Sequence, residues 1–339
     1  MKKTLLLLIL CLASVAMTAW SQNLMLGQEE PENKIEVLGY FCKNDTMTYR
    51  QRHSKCIVQE NDTTLSETVS ESYVEEFMIV VTDSTGEGYK MKYIPQSFTF
   101  DTTALDTGTP TSQMTINAIA MRQLMQSVVC DFTTDEKGLL KSIINWREIS
   151  DQLKKGVKAT CDNLYATIPD LDTTMLRQQL EAILLLHYTT EQGIRNSYME
   201  LEDLFGLYGT THDIGDKEIE TEENGYPQII SSRVCYTTIE DEGNNFDDGD
   251  YTISRQLTTS IPFDDVMNFG FGSLAITVSE MVNGSLKANP NGAEVCVSDF
   301  YGFMFFKNGW PKKLYFEEAI GLGSCESIET RYIECTSNN

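Results

Sequence analysis

Apolar and polar residues alternate along the first and last parts of the chain, and a period of two predicts β-strands. In residues 34–100 this alternation forms four runs, at residues 35–41, 46–58, 70–82 and 89–100. In residues 213–339 it returns in seven runs, at residues 218–222, 228–239, 251–260, 272–282, 294–306, 312–318 and 327–335. Both parts are therefore predicted to be β-rich, and the second has the pattern of a β-meander.

The middle part, residues 112–209, is mainly helical by pattern, because its apolar residues recur mostly at three- and four-residue steps. Residues 101–111 are rich in Thr, Gly, Pro and Asp without any period, which indicates a linker. A hairpin of two short strands, 128–133 and 139–144, is predicted after the first helix, and helices are predicted over residues 114–125, 146–166, 176–187 and 194–205.

The order of strands, helices and strands predicts an α+β fold. We expect one long, curved antiparallel β-sheet, half-barrel-like and built by both β-rich parts, with the central helical segment packed on one face. The pairs Asn224-Gly225 and Asn308-Gly309 predict tight turns, because Asn-Gly supplies the positive φ angles that two-residue hairpin loops require.

The first 21 residues have the features of a cleaved export signal. Lys2 and Lys3 form a positive n-region, residues 5–16 form an apolar h-region, and Ala19-Trp20-Ser21 fits a cleavage site. The apolar run is shorter than the roughly 20 residues that cross a bilayer, which favours cleavage over anchoring. We therefore expect residues 22–339 to form a single exported domain without a transmembrane anchor, in the periplasm, in the extracellular space or at the outer membrane.

The chain is strongly acidic, with 50 Asp and Glu against 26 Lys and Arg and a formal net charge of −24. Long-range repulsion argues against DNA, RNA or an anionic bilayer as a partner. An apolar ligand or an envelope protein remains compatible with this charge.

Eight cysteines follow the signal, and an even number in an exported protein predicts disulfide bridges. The chain has no C-x-x-C motif that would indicate a redox or zinc site. Pairing of the first two or of the last two cysteines is disfavoured if each pair is separated by a continuous strand. Buried free thiols are the alternative. The cysteines are Cys42, Cys56, Cys130, Cys161, Cys235, Cys296, Cys325 and Cys335.

Recognisable catalytic chemistry is absent from the sequence. The three histidines are scattered, and no nucleophile elbow, phosphate-binding loop or dinucleotide fingerprint occurs, so we expect neither an enzyme nor a cofactor. The densest group of oxygen ligands lies in residues 241–250, and its spacing departs from the EF-hand pattern, so that a solvated loop is the alternative to a calcium site. The calcium candidates are Asp241, Asp247, Asp248 and Asp250.

Several short features resemble uncharacterised exported proteins of Bacteroides-type bacteria. These are the signal that ends in Ser21-Gln22, the phrase at residues 131–138 (DFTTDEKG), and the turns in which Asn-Gly is followed by an aromatic residue and Pro. The strand, helix and strand order is also remotely similar to the half-barrels of periplasmic lipoprotein carriers of the LolA/LolB kind. That resemblance implies a curved sheet that is covered by helices and holds acyl chains.

Three functions are compatible with these observations. The first is a non-catalytic binding protein that holds an apolar or envelope-derived ligand between sheet and helices. The second is an acidic interaction module for a protein or polysaccharide, with an exposed aromatic patch around Trp310 or Tyr301. The third is a carboxylate-based hydrolase, which requires two or more carboxylates that converge in a cleft.

Overall fold

The computed structural model describes residues 33–61, 64–101, 110–167, 174–236, 250–269, 272–284 and 293–337. The predicted export signal, residues 1–21, lies outside these residues. The strands of the described part are β1 (Lys34–Glu36), β2 (Thr46–Asn61), β3 (Thr64–Thr85), β4 (Gly88–Phe100), β5 (Cys130–Thr134), β6 (Leu140–Ile143), β7 (Thr211–Asp213), β8 (Gly215–Glu223), β9 (Tyr226–Tyr236), β10 (Tyr251–Pro262), β11 (Glu294–Phe305), β12 (Pro311–Leu322) and β13 (Cys325–Cys335).

The helices of the described residues occur in two groups. The first group follows β4 and β6 and precedes β7, and the second lies between β10 and β11. The helices are α1 (Pro110–Met125), α2 (Trp146–Thr167), α3 (Thr174–His187), α4 (Glu191–Ser197), α5 (Met199–Phe205), α6 (Phe263–Phe269) and α7 (Ser273–Gly284).

Eleven antiparallel strands form one open sheet, in the order β6-β5-β4-β3-β2-β13-β12-β11-β10-β9-β8. Strands β1 and β7 form a separate pair. The two β-rich parts of the chain meet where β2 pairs with β13 over eleven residue pairs, from Cys325 opposite Gln59 to Cys335 opposite Tyr49. The predicted α+β class, with a long half-barrel-like antiparallel sheet and helices on one face, is confirmed.

Alternation along each strand separates an inner face, against which the helices pack, from an outer face. Inner-face residues such as Tyr49 and Phe77 lie opposite each other in register and are fully buried. Helices α1 to α5 cover the inner face at one end of the strands, where Tyr93, Phe132 and Phe205 belong to the same apolar core. The interface between these helices and the sheet is therefore filled by side chains.

Helices α6 and α7 build a second, smaller core on the same face. Val266 and Val278 from these helices pack with Val295 of β11 and Leu322 of β12. The strand predicted for residues 272–282 is wrong, because this segment is α7. Leu274, Ile276 and Val278 alternate as in a strand, but in the helix Ile276 is exposed and only Leu274 and Val278 pack in this core.

Two further boundaries differ from the sequence-based expectations. The helix predicted for residues 194–205 is two helices, α4 and α5, which are separated at Tyr198 by a non-helical backbone (φ −108°, ψ 51°). Tyr198 is buried, and its ring contacts Tyr93 edge-on at 5.4 Å between centroids. The strand predicted for residues 35–41 ends at Glu36, and much of the predicted linker, residues 102–109, lies outside the described residues.

Both predicted Asn-Gly pairs lie in loops between adjacent strands, but only the first forms a two-residue loop with two positive φ angles. Asn224 and Gly225 both have positive φ angles, 55° and 87°, in the loop that joins β8 to β9. Gly309 has φ 83° in the loop between β11 and β12, and a Cβ there would lie 1.9 Å from the carbonyl oxygen of Leu38. Glycine is required at this position both by the backbone angle and by the close approach of a second chain segment.

We expect Gly309→Ala to lower the free energy of unfolding by about 3 kcal/mol or more, because strain adds to a steric clash. Gly323→Ala is the matched control, since Gly323 also has positive φ, 63°, but a methyl group added there would have nothing within 4 Å. The control is expected to lose about 1 kcal/mol. Urea unfolding curves test this difference, and equal losses in both variants would contradict it.

Candidate functional site

Three neighbouring strands each place an acidic residue on the inner face at the same level of the sheet. Asp299 of β11 lies opposite Glu318 of β12, which lies opposite Glu329 of β13. Directly opposite residues on one face have Cβ atoms roughly 5 Å apart. We call Asp299, Glu318 and Glu329 the carboxylate row.

Basic side chains flank the carboxylate row at both ends. At the β2 end, the Nζ atom of Lys55 lies 3.5 Å from Glu329, and the Nε2 atom of His53 lies 3.1 Å from the same carboxylate. At the other end, Arg255 of β10 interacts electrostatically with Asp299. The row is thus enclosed between basic groups on the same face.

The same level of the sheet continues beyond Asp299 as an apolar floor. Leu257 of β10 lies opposite Asp299, Ile230 of β9 lies opposite Leu257, and Ile219 of β8 lies opposite Ile230. We call the whole line of inner-face residues the inner groove. From β2 to β8 it consists of Lys55, Glu329, Glu318, Asp299, Leu257, Ile230 and Ile219.

The inner groove lies between the two helix-covered cores. On one side, Tyr301 and Phe316 pack with the core under α1 to α5. On the other side, Val297 and Ile320 pack with the core under α6 and α7. The row therefore lies between two packed apolar clusters, and α1 of the first cluster contacts α7 of the second.

The pKa values along the row are pushed apart. Burial raises the pKa of Glu318 to about 7, and the charges of Glu329 and Asp299 add to the rise. Burial would also raise the pKa of Glu329, but His53, Lys55 and Arg331 hold it at about 2. Burial raises the pKa of Asp299 as well, against the attraction of Arg255.

Solvent nevertheless reaches these carboxylates. Glu318 is exposed, and the side chain of Glu329 is 41% exposed. These carboxylates are therefore close enough to other protein groups for their pKa values to shift, and they remain accessible to solvent. The solvent access also means that the electrostatic cost of ionising Glu318 is smaller than for a sealed site.

A buried ionic network fixes the helices next to the groove. The guanidinium of Arg122 in α1 lies 2.9 Å from Glu200 of α5 and 3.6 Å from Glu75 of β3. Arg331 of β13 pairs with Asp203 of α5 at 2.9 Å, and burial raises the pKa of Asp203 to about 6. These pairs therefore join α1 to α5 and both helices to the sheet.

The outer face carries a shallow depression of about 290 Å³. Its lining includes Gly302 and Met304 of β11, Tyr315 of β12 and Tyr332 of β13. It is open and lined by half-buried side chains. The inner groove combines charged and apolar groups over a longer surface, which makes it the stronger candidate.

The aromatic patch expected around Trp310 or Tyr301 does not form. Trp310 is fully buried, and its ring lies 4.4 Å from that of Phe41 between centroids. Tyr301 is half-buried and packs edge-on against Phe316 at 5.6 Å. Both rings take part in the core packing, and neither belongs to a large exposed aromatic patch.

Of the four calcium candidates, Asp250 lies among the described residues. Asp250 is buried, accepts a hydrogen bond from the Nζ atom of Lys312 at 2.8 Å, and accepts another from the backbone N–H of Lys307 at 3.2 Å. Asp241, Asp247 and Asp248 lie outside the described residues. Within the part of the chain that the structure describes, no group of three or more His, Cys, Asp or Glu side chains is arranged to hold a metal ion.

The predicted disulfide bridges are not formed between any of the eight described cysteines. Six of them lie in strands, where the register places other residue types opposite each cysteine. Cys161 lies in α2, and Cys42 lies outside the helices and strands. Cys325 and Cys335 mark the two ends of β13, as the spacing argument required. The remaining cysteines are Cys42, Cys56, Cys130, Cys161, Cys235 and Cys296, and they are distributed over several elements.

Comparison with known proteins gives weak structural matches. No family model and no curated protein matches the chain. A structure described as lipid-protein interactions in lipovitellin overlaps with a TM-score of 0.35 and 10% identity, over 88% of this chain and 25% of that chain. This chain thus spans a quarter of the length of that structure.

Two outer-membrane proteins overlap more weakly. The COG4313 outer membrane channel from Pseudomonas putida F1 gives a TM-score of 0.15 and 5% identity, over 91% of this chain and 100% of that chain. A putative outer membrane lipoprotein-sorting protein domain from Vibrio parahaemolyticus gives a TM-score of 0.11 and 9% identity, over 86% of each chain. A lipoprotein-sorting domain is therefore among the structural neighbours, at a score too low to establish a relationship. The resemblance to Bacteroides-type proteins stays a prediction.

The helices of the described residues include none that combines the length and the apolar character needed to cross a membrane.

The opposite pKa shifts predict opposite pH profiles for two variants. The pKa of Glu318 is higher in the folded protein than in the unfolded chain. Its favourable contribution to the free energy of unfolding is therefore present below about pH 4.5 and is lost as pH rises through 7. We expect Glu318→Gln to stabilise the protein at pH 8 relative to wild type and to have little effect at pH 4. Urea unfolding midpoints at both pH values measure this.

Glu329→Gln is the contrasting variant. The lowered pKa of Glu329 means that its contribution is present above about pH 4.5 and is lost as pH falls towards 2. We expect this variant to be destabilised at pH 7 and to approach wild type in acid. Parallel pH profiles for the two variants would contradict the assignment of the charged and neutral carboxyls.

Proposed function

We propose that the protein is an exported, non-catalytic binding protein that holds an amphipathic, envelope-derived ligand along the inner groove. The observation that carries the proposal is the division of the groove floor. The groove floor is charged where it crosses β2, β13, β12 and β11, and it is apolar where it crosses β10, β9 and β8. A ligand with one polar end and a long apolar part matches this division. Export to the periplasm or outer membrane rests on the signal sequence.

The apolar half of the floor is left partly in water. Ile219 is 43% exposed, and Leu257 and Ile230 are half-buried. A hydrocarbon chain over these side chains would remove apolar surface from water on both partners, and each buried methylene contributes about 0.8 kcal/mol. With strands roughly 4.8 Å apart, the seven strands of the floor span about 29 Å, which suits an elongated ligand.

The charged half would fix the polar end of the ligand. The exposed Glu318 has a pKa of about 7, so that it offers both a hydrogen-bond donor and an acceptor near neutral pH. Arg255 beside Asp299 adds a guanidinium at the junction with the apolar half. The ligand lies beside the helices in this proposal, since fully buried residues such as Phe77 and Phe205 fill the space beneath α1 to α5.

A hydrolase is the second candidate, because neighbouring carboxyls with separated pKa values can act as general acid and ionised partner. Glu318 would be the acid and Glu329 the ionised carboxylate. Their arrangement speaks against this reading. They lie side by side on one face of the sheet, whereas catalytic carboxyls lie on two sides of the bond that is cleaved. In addition, His53 and Lys55 already contact the Glu329 carboxylate.

The binding proposal predicts a lipid-like adduct on the protein purified from the envelope of its own host. Native mass spectrometry should show a non-covalent mass that is lost on denaturation, and extraction should identify its class. The same spectrum gives the mass of the processed chain, expected to begin at Gln22. A bare polypeptide mass that stays bare after incubation with a total lipid extract of that envelope would argue against ligand carriage.

Two adjacent isoleucines provide a matched pair of variants. Ile230 lies on the groove floor, whereas Ile229 points to the outer face and is 45% exposed. We expect Ile230→Glu to weaken binding of the neutral fluorescent probe N-phenyl-1-naphthylamine by about tenfold or more, and Ile229→Glu to leave it nearly unchanged. Equal effects of both substitutions, with equal urea midpoints, would place the apolar site elsewhere.

The hydrolase candidate predicts a different result. Glu318→Gln would abolish turnover of a chromogenic glycoside or ester while leaving its binding intact, and the pH profile of the wild type would break near 7. Turnover that persists in Glu318→Gln would eliminate Glu318 as the acid.

A further inference from the structure

The outer edge of β8 is open in the part of the chain that the structure describes. This strand is the last of the eleven-stranded sheet, and all nine residues of Gly215–Glu223 are exposed. Its other edge pairs with β9 in a single register over all nine residues, without a bulge. The strand is therefore long, regular and held in an extended conformation.

The opposite edge of the sheet is different. Strand β6 is four residues long, and both of its ends, Leu140 and Ile143, are buried. The guanidinium of Arg195 donates a hydrogen bond to the carbonyl oxygen of Lys141 at 3.2 Å, which occupies part of this edge. A short strand, a covering side chain and charged side chains all protect sheet edges, and of these β8 has only the charged side chains.

The backbone of β8 can accept a further strand. In an antiparallel pair, alternate residues direct their N–H and C=O groups to the partner, and the intervening residues direct theirs to the other side. Along β8 the second set faces away from β9. An extended segment placed there would form a ladder of main-chain hydrogen bonds, as in strand addition to other sheet edges.

The side chains of β8 restrict which segment can dock. Its outer face presents a carboxylate at every second residue, roughly 7 Å apart. Across β9, Arg233 lies 3.6 Å from the first of them and Ser231 donates to the second at 3.2 Å, whereas Ile229 and Pro227 face the third and fourth. The four carboxylates belong to Asp216, Glu218, Glu220 and Glu222.

A second copy of the chain is a poor occupant of this edge. Pairing β8 with itself would set carboxylates against carboxylates, and like charges directly opposite each other are destabilising. The formal net charge of −24 adds long-range repulsion between copies. The acidic row thus rejects self-association and attracts a segment of opposite charge.

We propose that β8 docks an extended segment of a partner protein by strand addition, and that this segment carries Lys or Arg at alternate positions on its outer face. The docked strand continues the sheet as a twelfth strand next to β8. The proposal is independent of a ligand in the inner groove, because it uses the edge and the outer face of β8.

Binding to the mature chain tests the proposal with a capped nine-residue probe in which lysine and threonine alternate. We expect this peptide to bind about tenfold more tightly than an isomer with its lysines in one block, by isothermal titration calorimetry. Hydrogen exchange should show new protection at residues 215–223. Equal affinity of the two isomers, or binding without this protection, would reduce the interaction to nonspecific charge attraction and overturn the proposal.

Charge-reversal variants locate the site. We expect the triple variant Glu218→Lys, Glu220→Lys and Glu222→Lys to bind the probe at least about tenfold more weakly. The control, Glu87→Lys, Glu136→Lys and Glu326→Lys, makes the same change of net charge at exposed positions away from β8 and should stay close to wild type. Equal weakening in both variants would contradict a site on β8.

Backbone methylation separates strand pairing from side-chain contacts and needs no protein variant. Two probes carry N-methyl groups, one at its lysines and the other at its threonines. Since alternate N–H groups face β8, one probe should lose binding and the other should retain it. Retention by both would exclude a hydrogen-bonded strand.

Discussion

Unbroken pairing between β2 and β13 is the constraint on which the rest of the molecule depends. It joins the two β-rich parts of the chain into one sheet. Because of this pairing, one inner face and one outer face continue across all strands from β6 to β8. A shift of one residue at this junction would turn every side chain of one half to the wrong side. It would also separate Lys55 and His53 from Glu329, and the carboxylate row would lose its basic end.

The fold class and most elements could be predicted from the sequence because alternation is a local property. β2, β4, β10 and β13 lie within a few residues of their expected positions. Local pattern fails where tertiary contacts decide. In α7, Leu274, Ile276 and Val278 alternate as in a strand although Ile276 is exposed on the helix. The backbone leaves the helical conformation at Tyr198, where the ring packs against Tyr93.

The candidate site could not be predicted in the same way. Sequence motifs join residues that are close along the chain, whereas the inner groove collects side chains from Lys55 to Glu329 through register alone. A single acidic residue at an inward position of β11, of β12 and of β13 was the available signal. Each looks like an ordinary surface residue until the strands are aligned, and alignment of non-consecutive strands such as β2 and β13 is not encoded in any short segment.

The dependence of β8 on a single neighbour has a consequence for motion. Residues near the β2–β13 junction are held by strands on both sides and by the packed core beneath the helices, whereas the β8–β9 hairpin is anchored along one line and exposes all nine residues of β8. Regions with few buried apolar contacts open locally at a small fraction of the global free energy. The sheet is therefore more rigid at the β2–β13 junction than at the β8–β9 hairpin. As a result, the apolar end of the groove can change its curvature while the charged end keeps its shape.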